Sequence, residues 1–377
     1  MTNPTGNLRI VPIESAEEWK ASLAGPHDCY HLPFYHLLAS DSGEGIPKLF
    51  VYQNEGITLC LPLLIRRIEH LASKDSGEEV WYDATSVYGY PGPVCSHSVI
   101  SDHVASDFRD CLRSLLLQMR IVSVFSRLHP LIDQAPLLSG LGSMVVHGRT
   151  VSIDLSVSED AQLARYRKNH RRSLSKFVQA GGSCVVDEEF RYLDAFIGIY
   201  TENMRRLSAA EEYIFPRQYF HDLTNTKEAE VKLIVCTVGS EPACRGIFMK
   251  YGDILHYHLG GTVEAWINLS PLKFLIDAAR HWGFTHGAKV FHLGGGVGAK
   301  DDSLFQFKLG FSSRLHAFKT WRWVLIPSVY DRLVALNNVN RPDADGTEES
   351  SDFFPQYRHR QGLKPLHRAV SCEPRKG

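Results

Sequence analysis

The sequence predicts an α/β chain of two similar domains, each a mixed, mostly antiparallel sheet flanked by helices. The chain has 377 residues, which is too long for one ordinary core and enough for two. Its apolar share of 44% and its charged share of 22% are those of a globular protein. The third observation is an order of strands, turn and helix that occurs in both halves and is set out next.

The first half begins with a predicted β-hairpin. Residues 47–66 place apolar β-forming runs on both sides of the turn Asn54-Glu55-Gly56. Another strand is predicted at 80–87, followed by an amphipathic helix at 102–119 and a short apolar strand at 121–128. The pattern therefore indicates an antiparallel meander followed by a helix and a further strand.

The second half repeats this order. Residues 231–250 predict a hairpin, 253–262 a third strand, 271–283 a helix and 289–293 a short strand. Other mixed α/β proteins show such a rhythm, so the matching order, not residue identity, indicates a duplication. We predict domains at 1–150 and 151–330, and a partly flexible tail at 331–377 that is rich in charge, Pro and Gly. Residues 321–336 are apolar enough for a last strand and helix that can pack back on the first domain.

Charge and cysteine content narrow the functional classes. A formal net charge of −1 provides no global attraction to nucleic acid, so a polyanion would need a local basic patch. We expect a cytoplasmic protein, because neither a membrane span nor a secretory leader is evident. The eight cysteines lack CxxC spacing and are expected to be reduced, buried thiols. No metal site is predicted, because His256 and His258 alternate on one strand without a third ligand nearby.

The most basic segment of the chain runs from residue 165 to 176. Six of its twelve residues are Lys or Arg, and they include Arg165, Arg167, Lys168, Arg171 and Arg172. On a helix these side chains would form neighbouring stripes. Such a face can hold phosphates of tRNA, of coenzyme A or of a nucleotide-linked substrate. The alternative is a solvated helix face without a ligand.

Two segments near residue 300 are candidates for a reaction centre. The glycine-rich turn around Gly294 and Gly295 follows a strand but matches neither the P-loop nor the dinucleotide pattern, so we interpret it as a close approach of backbone to a substrate. A short helix after Asp302 carries Lys308 among aromatic residues, where a cation can stabilise an oxyanion. The residues alone favour a lysine that lays its stem on the core and reaches outward to water.

Four segments together resemble the FemABX group of enzymes. They are the Y-G-Y-P-G-P-V run at 88–94, Y-x3-M-x-R at 200–206, H-L-G-G-G at 292–296 and D-S-L-F-x-F-K-x3-F at 302–311. The group includes peptidoglycan bridge-forming aminoacyltransferases and their acetyltransferase relatives. The resemblance spans roughly residues 30–325 and implies two acetyltransferase-type (GNAT) domains.

The resemblance also implies roles for individual residues. Phe307 and Lys308 match the Phe-Lys pair that the group places at its acyl-transfer centre. Arg206, Tyr213 and Tyr257 fall in segments that resemble those lining the acceptor pocket. No cofactor is implied. The implied partners are aminoacyl-tRNA as donor and an amine acceptor, either a peptidoglycan precursor or a small metabolite.

One departure from the GNAT pattern bears on the donor. The Q/R-x-x-G-x-G/A loop that holds the coenzyme A pyrophosphate is missing before the helix at 271–283, where Trp266-Ile-Asn-Leu-Ser-Pro-Leu272 stands instead. That loop presents backbone N–H groups to phosphate at a helix N-terminus. Its absence favours an aminoacyl-tRNA donor over an acyl-CoA donor. A binding module that keeps the fold without the chemistry is the third alternative.

Overall fold

The computed structural model describes residues 7–69, 80–207, 213–339 and 353–359. Their contacts form two compact units. Of the described residues, unit 1 contains those up to Val146 and those from Lys319 onward, and unit 2 contains those from His147 to Phe318. Residues 319–339 belong to unit 1, whereas the sequence had extended the second domain to 330.

Unit 1 is a sheet with helices against it. Its elements, in chain order, are β1 (Leu8–Pro12), α1 (Ala16–Ser22), α2 (Pro33–Asp41), β2 (Ile46–Asn54), β3 (Ile57–Arg67), β4 (Tyr82–Thr85), β5 (Val94–Cys95), α3 (Asp102–Gln118), β6 (Ile121–Arg127) and the first part of β7 (Ser143–Asp154). After unit 2 the chain returns to unit 1 with the last part of β13 (Arg314–Val324) and with α10 (Pro327–Val339).

The strands of unit 1 follow the order β1-β2-β3-β4-β6-β13, and β5 pairs with β3. The β2–β3 hairpin closes at Glu55 and Gly56, which both have positive φ, as a two-residue turn of this kind requires. β4 runs antiparallel to β3 but parallel to β6, with α3 as the crossover. α3 buries Val104, Phe108 and other apolar residues at helical spacing against the sheet.

A second, smaller core in unit 1 involves the end of the chain. Tyr357 is buried against Ile68, Val122, Tyr330 and Leu333. This residue lies in the predicted tail, so residues 353–359 of that tail pack on unit 1. The rest of the tail, at 340–352 and 360–377, lies outside the described residues.

Unit 2 repeats the plan of unit 1 with two helices added before its hairpin. After the remainder of β7, its elements are α4 (Glu159–Ala164), α5 (Lys168–Gln179), β8 (Gly182–Asp187), α6 (Leu193–Arg206), α7 (Arg217–Asn225), β9 (Glu230–Val238), β10 (Glu241–Tyr251), β11 (Ile254–Thr262), α8 (Pro271–Thr285), β12 (Val290–Gly294), α9 (Ser303–Leu309) and the first part of β13. The strand order is β7-β12-β11-β10-β9-β8.

The predicted fold class is confirmed. In unit 2, β9, β10 and β11 form an antiparallel meander, α8 crosses over, and β12 returns parallel to β11. This is the order that β2, β3, β4, α3 and β6 follow in unit 1. The parallel pairing of β11 with β12 extends only to His256 and His292, after which β12 continues along β7 alone.

The expectation that the cysteines are reduced is wrong for one pair. Cys184 on β8 and Cys236 on β9 lie directly opposite each other, with Cα atoms 4.1 Å apart, and form a disulfide. Strand register, which CxxC spacing does not detect, brings them together. Among the other described cysteines, Cys29, Cys60, Cys95, Cys111 and Cys244 are free thiols, and all except Cys111 are buried.

Within the described ranges, the helices are too short or too polar to cross a bilayer.

Candidate functional site

The proposed catalytic lysine is buried in unit 2. Lys308 lies near the end of α9, and only 8% of its surface is exposed. Its ammonium group donates a hydrogen bond to the carbonyl oxygen of Gly295 at 2.6 Å. The lysine therefore does not reach outward to water, which is the orientation that the residues alone had favoured. Burial lowers the pKa of Lys308 to about 8, although Asp302 opposes this shift. The site thus holds an ammonium group that is readily deprotonated.

The glycine-rich turn after β12 shapes the surroundings of this ammonium group. Gly294 has φ of +76°, and a Cβ on Gly295 would lie 2.7 Å from the carbonyl oxygen of Arg149. A Cβ on Gly296 would lie 2.1 Å from the carbonyl oxygen of Lys300. Close packing of backbone on backbone therefore accounts for these glycines, and the turn presents the Gly295 carbonyl to Lys308.

Asp302 joins the turn to the helix. One carboxylate oxygen caps α9 by accepting a hydrogen bond from the Phe305 backbone N–H at 2.8 Å. The other oxygen accepts a hydrogen bond from the Val297 backbone N–H at 2.9 Å. The sequence predicted this cap, but it did not predict that the same carboxylate would hold the glycine-rich turn.

The backbone of Phe307 is hydrogen-bonded to a residue of α5. The ring of His170 donates a hydrogen bond from Nε2 to the Phe307 carbonyl at 2.9 Å. Burial and the nearby Lys273 lower the pKa of His170 to about 4, so its ring is neutral at pH 7 and its proton lies on Nε2. His170 also packs on Gly310, where a Cβ would lie 2.0 Å from the ring. The sequence analysis missed this histidine, because nothing in the basic segment distinguishes it.

The basic segment is not one continuous helix. α5 begins at Lys168, and Arg165 caps the end of α4 instead. The chain turns between the two helices because Tyr166 is buried and donates a hydrogen bond to Asp277, while the Arg167 N–H bonds to the Gly310 carbonyl. The predicted stripe that joined Arg165 to the later cations is therefore corrected.

The cations of this segment fall into two groups. Arg165 forms an ion pair with Asp154 at 3.7 Å, and Arg167 approaches the side chain of Gln306. On α5 itself four cations are exposed, and none has a carboxylate within 4 Å in the part of the chain that the structure describes: Lys168, Arg171, Arg172 and Lys176. Because α5 also carries no acidic residue, these four side chains form an exposed basic face. We call it the α5 basic face.

The predicted acceptor residues lie on other elements of unit 2. Arg206 ends α6 and contacts Asn203 at 3.1 Å and Glu264 at 4.0 Å. The Tyr213 carbonyl accepts a hydrogen bond from the Tyr200 hydroxyl. Tyr257 on β11 packs on Phe248, and its hydroxyl lies where a Cβ of Gly260 would be. Their role in acceptor binding stays a prediction.

The histidines of β11 have different partners. The Nδ1 atoms of His256 and His292 are 3.3 Å apart, at the point where β11 and β12 stop pairing. His258 forms a β-bulge, because it is an extra residue of β11 without a paired position on β10. Its Nε2 lies 2.8 Å from the Tyr219 hydroxyl. Burial and His256 lower the pKa of His258 to about 3, so this ring is neutral.

Comparisons with known proteins agree with this architecture. Residues 164–308, which contain α5 and Lys308, match the family model described as acetyltransferase (GNAT) domain. No curated protein matches the chain. The crystal structure of FemX has a TM-score of 0.64 at 11% identity, and the match covers 86% of this chain and 99% of that one.

A second structure shares the fold at lower similarity. The C-terminal domain of a putative lysylphosphatidylglycerol synthetase from Agrobacterium fabrum has a TM-score of 0.50 at 14% identity, covering 85% of this chain and 96% of that one. At such identities the likeness concerns the fold. The match to the GNAT model and the likeness in fold to FemX agree with the resemblance to the FemABX group that the sequence shows.

Proposed function

We propose that this protein is an amide-forming aminoacyltransferase with aminoacyl-tRNA as its donor. The observation that carries the proposal is Lys308, a buried cation on α9 that is hydrogen-bonded to the glycine-rich turn within the segment that matches a GNAT domain. The resemblance to the FemABX group implies an acyl-transfer role for this lysine. Its environment suits that role, because a cation shielded from water has a strong field at a developing oxyanion.

The proposed reaction requires an amine and an activated ester. The neutral amine attacks the aminoacyl carbonyl, and the negative charge that develops on the carbonyl oxygen is stabilised by the Lys308 ammonium group. One ammonium N–H is bonded to Gly295, which leaves two N–H groups for the oxyanion. When the intermediate collapses, the C–O bond to the ribose breaks. The proton lost by the amine ends on the ribose oxygen, and the products are an amide and uncharged tRNA.

Two features support tRNA as the donor. The α5 basic face offers four cations without carboxylate partners, as a phosphate backbone would use. Before α8, the chain forms a 3-10 helix at Glu264–Leu269, and α8 starts with Pro271, which has no N–H to offer. A pyrophosphate would therefore lack part of the usual set of backbone donors at this helix.

An acyl-CoA donor is the second candidate, favoured by the match to the GNAT domain model. In either case the acceptor carries an amine and is a peptidoglycan precursor or a small metabolite. A non-catalytic binding module with the same fold is the third possibility, and it predicts no product from either donor.

The donor can be identified by direct assay. The purified chain is incubated with a mixture of charged tRNAs and amine acceptors and, separately, with acyl-CoA, and amide products are measured by mass spectrometry. We expect product with charged tRNA that disappears after ribonuclease treatment. Product that survives ribonuclease would exclude the tRNA donor. Product that requires acyl-CoA would establish the second candidate.

A further inference from the structure

A buried arginine on the α6 side of the unit 2 sheet forms no hydrogen bond or ion pair with the residues that the structure describes. Arg245 lies on β10 between Val235 of β9 and Gly261 of β11, and 5% of its surface is exposed. Gly246, the next residue, faces α8 on the other side of the sheet, where Leu275 contacts it. The Arg245 side chain therefore points toward α6, and its guanidinium lies over the ring of Tyr192 at 5.6 Å.

One nitrogen of the Arg245 guanidinium is enclosed without an acceptor in the described part of the chain. Among the described residues, no acceptor forms a hydrogen bond with Arg245, its Nε is fully enclosed, and no carboxylate lies within 4 Å. The Asp187 carboxylate acts on its charge from beyond this distance and accepts a hydrogen bond from the Tyr192 backbone N–H at 2.8 Å. Burial lowers the pKa of Arg245, which shows that its charge is poorly compensated.

Arg280 in the same unit shows how a buried arginine is normally held. It is 3% exposed and donates hydrogen bonds to Asp277 at 2.8 Å, to Gln162 at 2.9 Å and to Glu159 at 3.1 Å. Burial alone would lower its pKa, but Asp277 and Glu159 hold the pKa above its usual value. The two arginines are equally buried, so burial does not explain why only Arg245 is left without acceptors.

The space beside Tyr192 can admit a ligand. A shallow cavity of about 260 Å³ is lined by Asp187, Arg191, Tyr192 and neighbouring residues of the β8–α6 connection. Each of its three acidic side chains has a partner: Glu188 pairs with Lys232, Glu189 pairs with Arg191, and Asp187 accepts the hydrogen bond from the Tyr192 backbone N–H.

We propose that Arg245 and Tyr192 form a binding site for the carboxylate or phosphate group of a small ligand. The ligand oxygens would supply the acceptors that the protein does not provide, and the planar guanidinium suits two parallel hydrogen bonds to such a group. A buried polar group without a partner is costly to the folded state, so its presence is explained when a ligand completes it. The proposal does not depend on the proposed aminoacyl transfer.

Thermal unfolding with two probe anions tests the site. Acetate and inorganic phosphate are added to the full chain, with chloride at the same ionic strength as reference. At about ten times the dissociation constant, we expect the melting temperature of the wild type to rise by about 3 °C. Arg245→Met should lose this rise. Arg9→Met, which changes a partly exposed arginine in unit 1 that is paired with Glu18, should keep it.

An NMR measurement on the wild type avoids dependence on the folding of the variant. The Nε–H resonance of Arg245, assigned with Arg245→Lys, should shift when acetate or phosphate is added. A resonance that does not move with either anion at tens of millimolar would overturn the proposal. An unchanged anion response in a folded Arg245→Met would do the same.

Discussion

A buried charge in unit 1 is paired, whereas the described part of unit 2 contains two buried cations without a carboxylate partner beside the paired Arg280. In unit 1 the fully buried Asp83 is bonded to Arg66 at 2.7 Å, to the Tyr357 hydroxyl at 3.0 Å and also to Arg358. In unit 2 the described residues provide no carboxylate within 4 Å of Lys308 or Arg245, although both cations are buried. A paired charge is explained by stability and specificity of the fold, whereas an unpaired one points to a ligand or a reaction.

The largest effect is expected for Lys308→Met. We expect turnover to fall by about 10²–10³-fold, because the variant removes the donor for the oxyanion. The free energy of unfolding should change little, since the methionine side chain removes a desolvated cation but leaves the Gly295 carbonyl without its donor. Product formation and urea unfolding measure the two quantities. Lys289→Met, at an exposed lysine paired with Asp253, is the control and should keep full turnover. Retained turnover in Lys308→Met would remove this lysine from the mechanism.

A pair of variants sharpens the difference between the buried arginines. Arg280→Met should lose about 3 kcal/mol in the free energy of unfolding, because Asp277 and Gln162 are left without their partner. Arg245→Met should lose none in anion-free buffer, because it leaves no acceptor unsatisfied. Equal losses in urea unfolding would mean that Tyr192 and Asp187 hold Arg245 as firmly as carboxylates hold Arg280.

The pH dependence follows from the lowered pKa of Lys308. Turnover should decline as the pH rises through about 8, since the ammonium group that stabilises the oxyanion is then lost. The same lysine titrates near 10.5 when unfolded, so between these values the unfolded chain binds more protons. Its contribution to the free energy of unfolding therefore increases with pH across this interval. Lys308→Met should flatten this increase, and a slope unchanged by the variant would contradict the assignment.

The smallest effect is expected for the α5 basic face. Arg171→Gln together with Arg172→Gln should raise KM for charged tRNA several-fold without changing kcat, and should reduce the salt dependence of KM by about one unit of slope per lost contact. Stability should hardly change, because both side chains are exposed and unpaired. Lys289→Gln is the matched control. An unchanged KM would mean that the α5 basic face is a solvated surface that does not contact the tRNA.

Local patterns predicted much of the fold. The two hairpins, α3, α8 and the short strands that follow these helices lie where alternation and helical spacing placed them. These elements are signalled by residues close together in the chain, and their order was enough to recognise the duplication. The cap at Asp302 is equally local.

Local patterns could not predict contacts between residues that are far apart in the chain. The sequence extended one basic helix back to Arg165, because it did not show that Tyr166 would be buried against Asp277. It missed the Cys184–Cys236 disulfide, because these residues meet only through strand register. His170 was missed for the same reason, since its partner Phe307 is far along the chain.

The sequence by itself determined the repeated order of strands and helices, the glycine-rich turn and the position of Lys308 on a short capped helix. Only the tertiary structure decided that Lys308 is enclosed against the Gly295 carbonyl, that Arg280 has acceptors and that Arg245 has none among the residues the structure describes. Secondary structure depends on neighbours a few residues away, whereas the environment of a charge depends on every chain segment that packs around it.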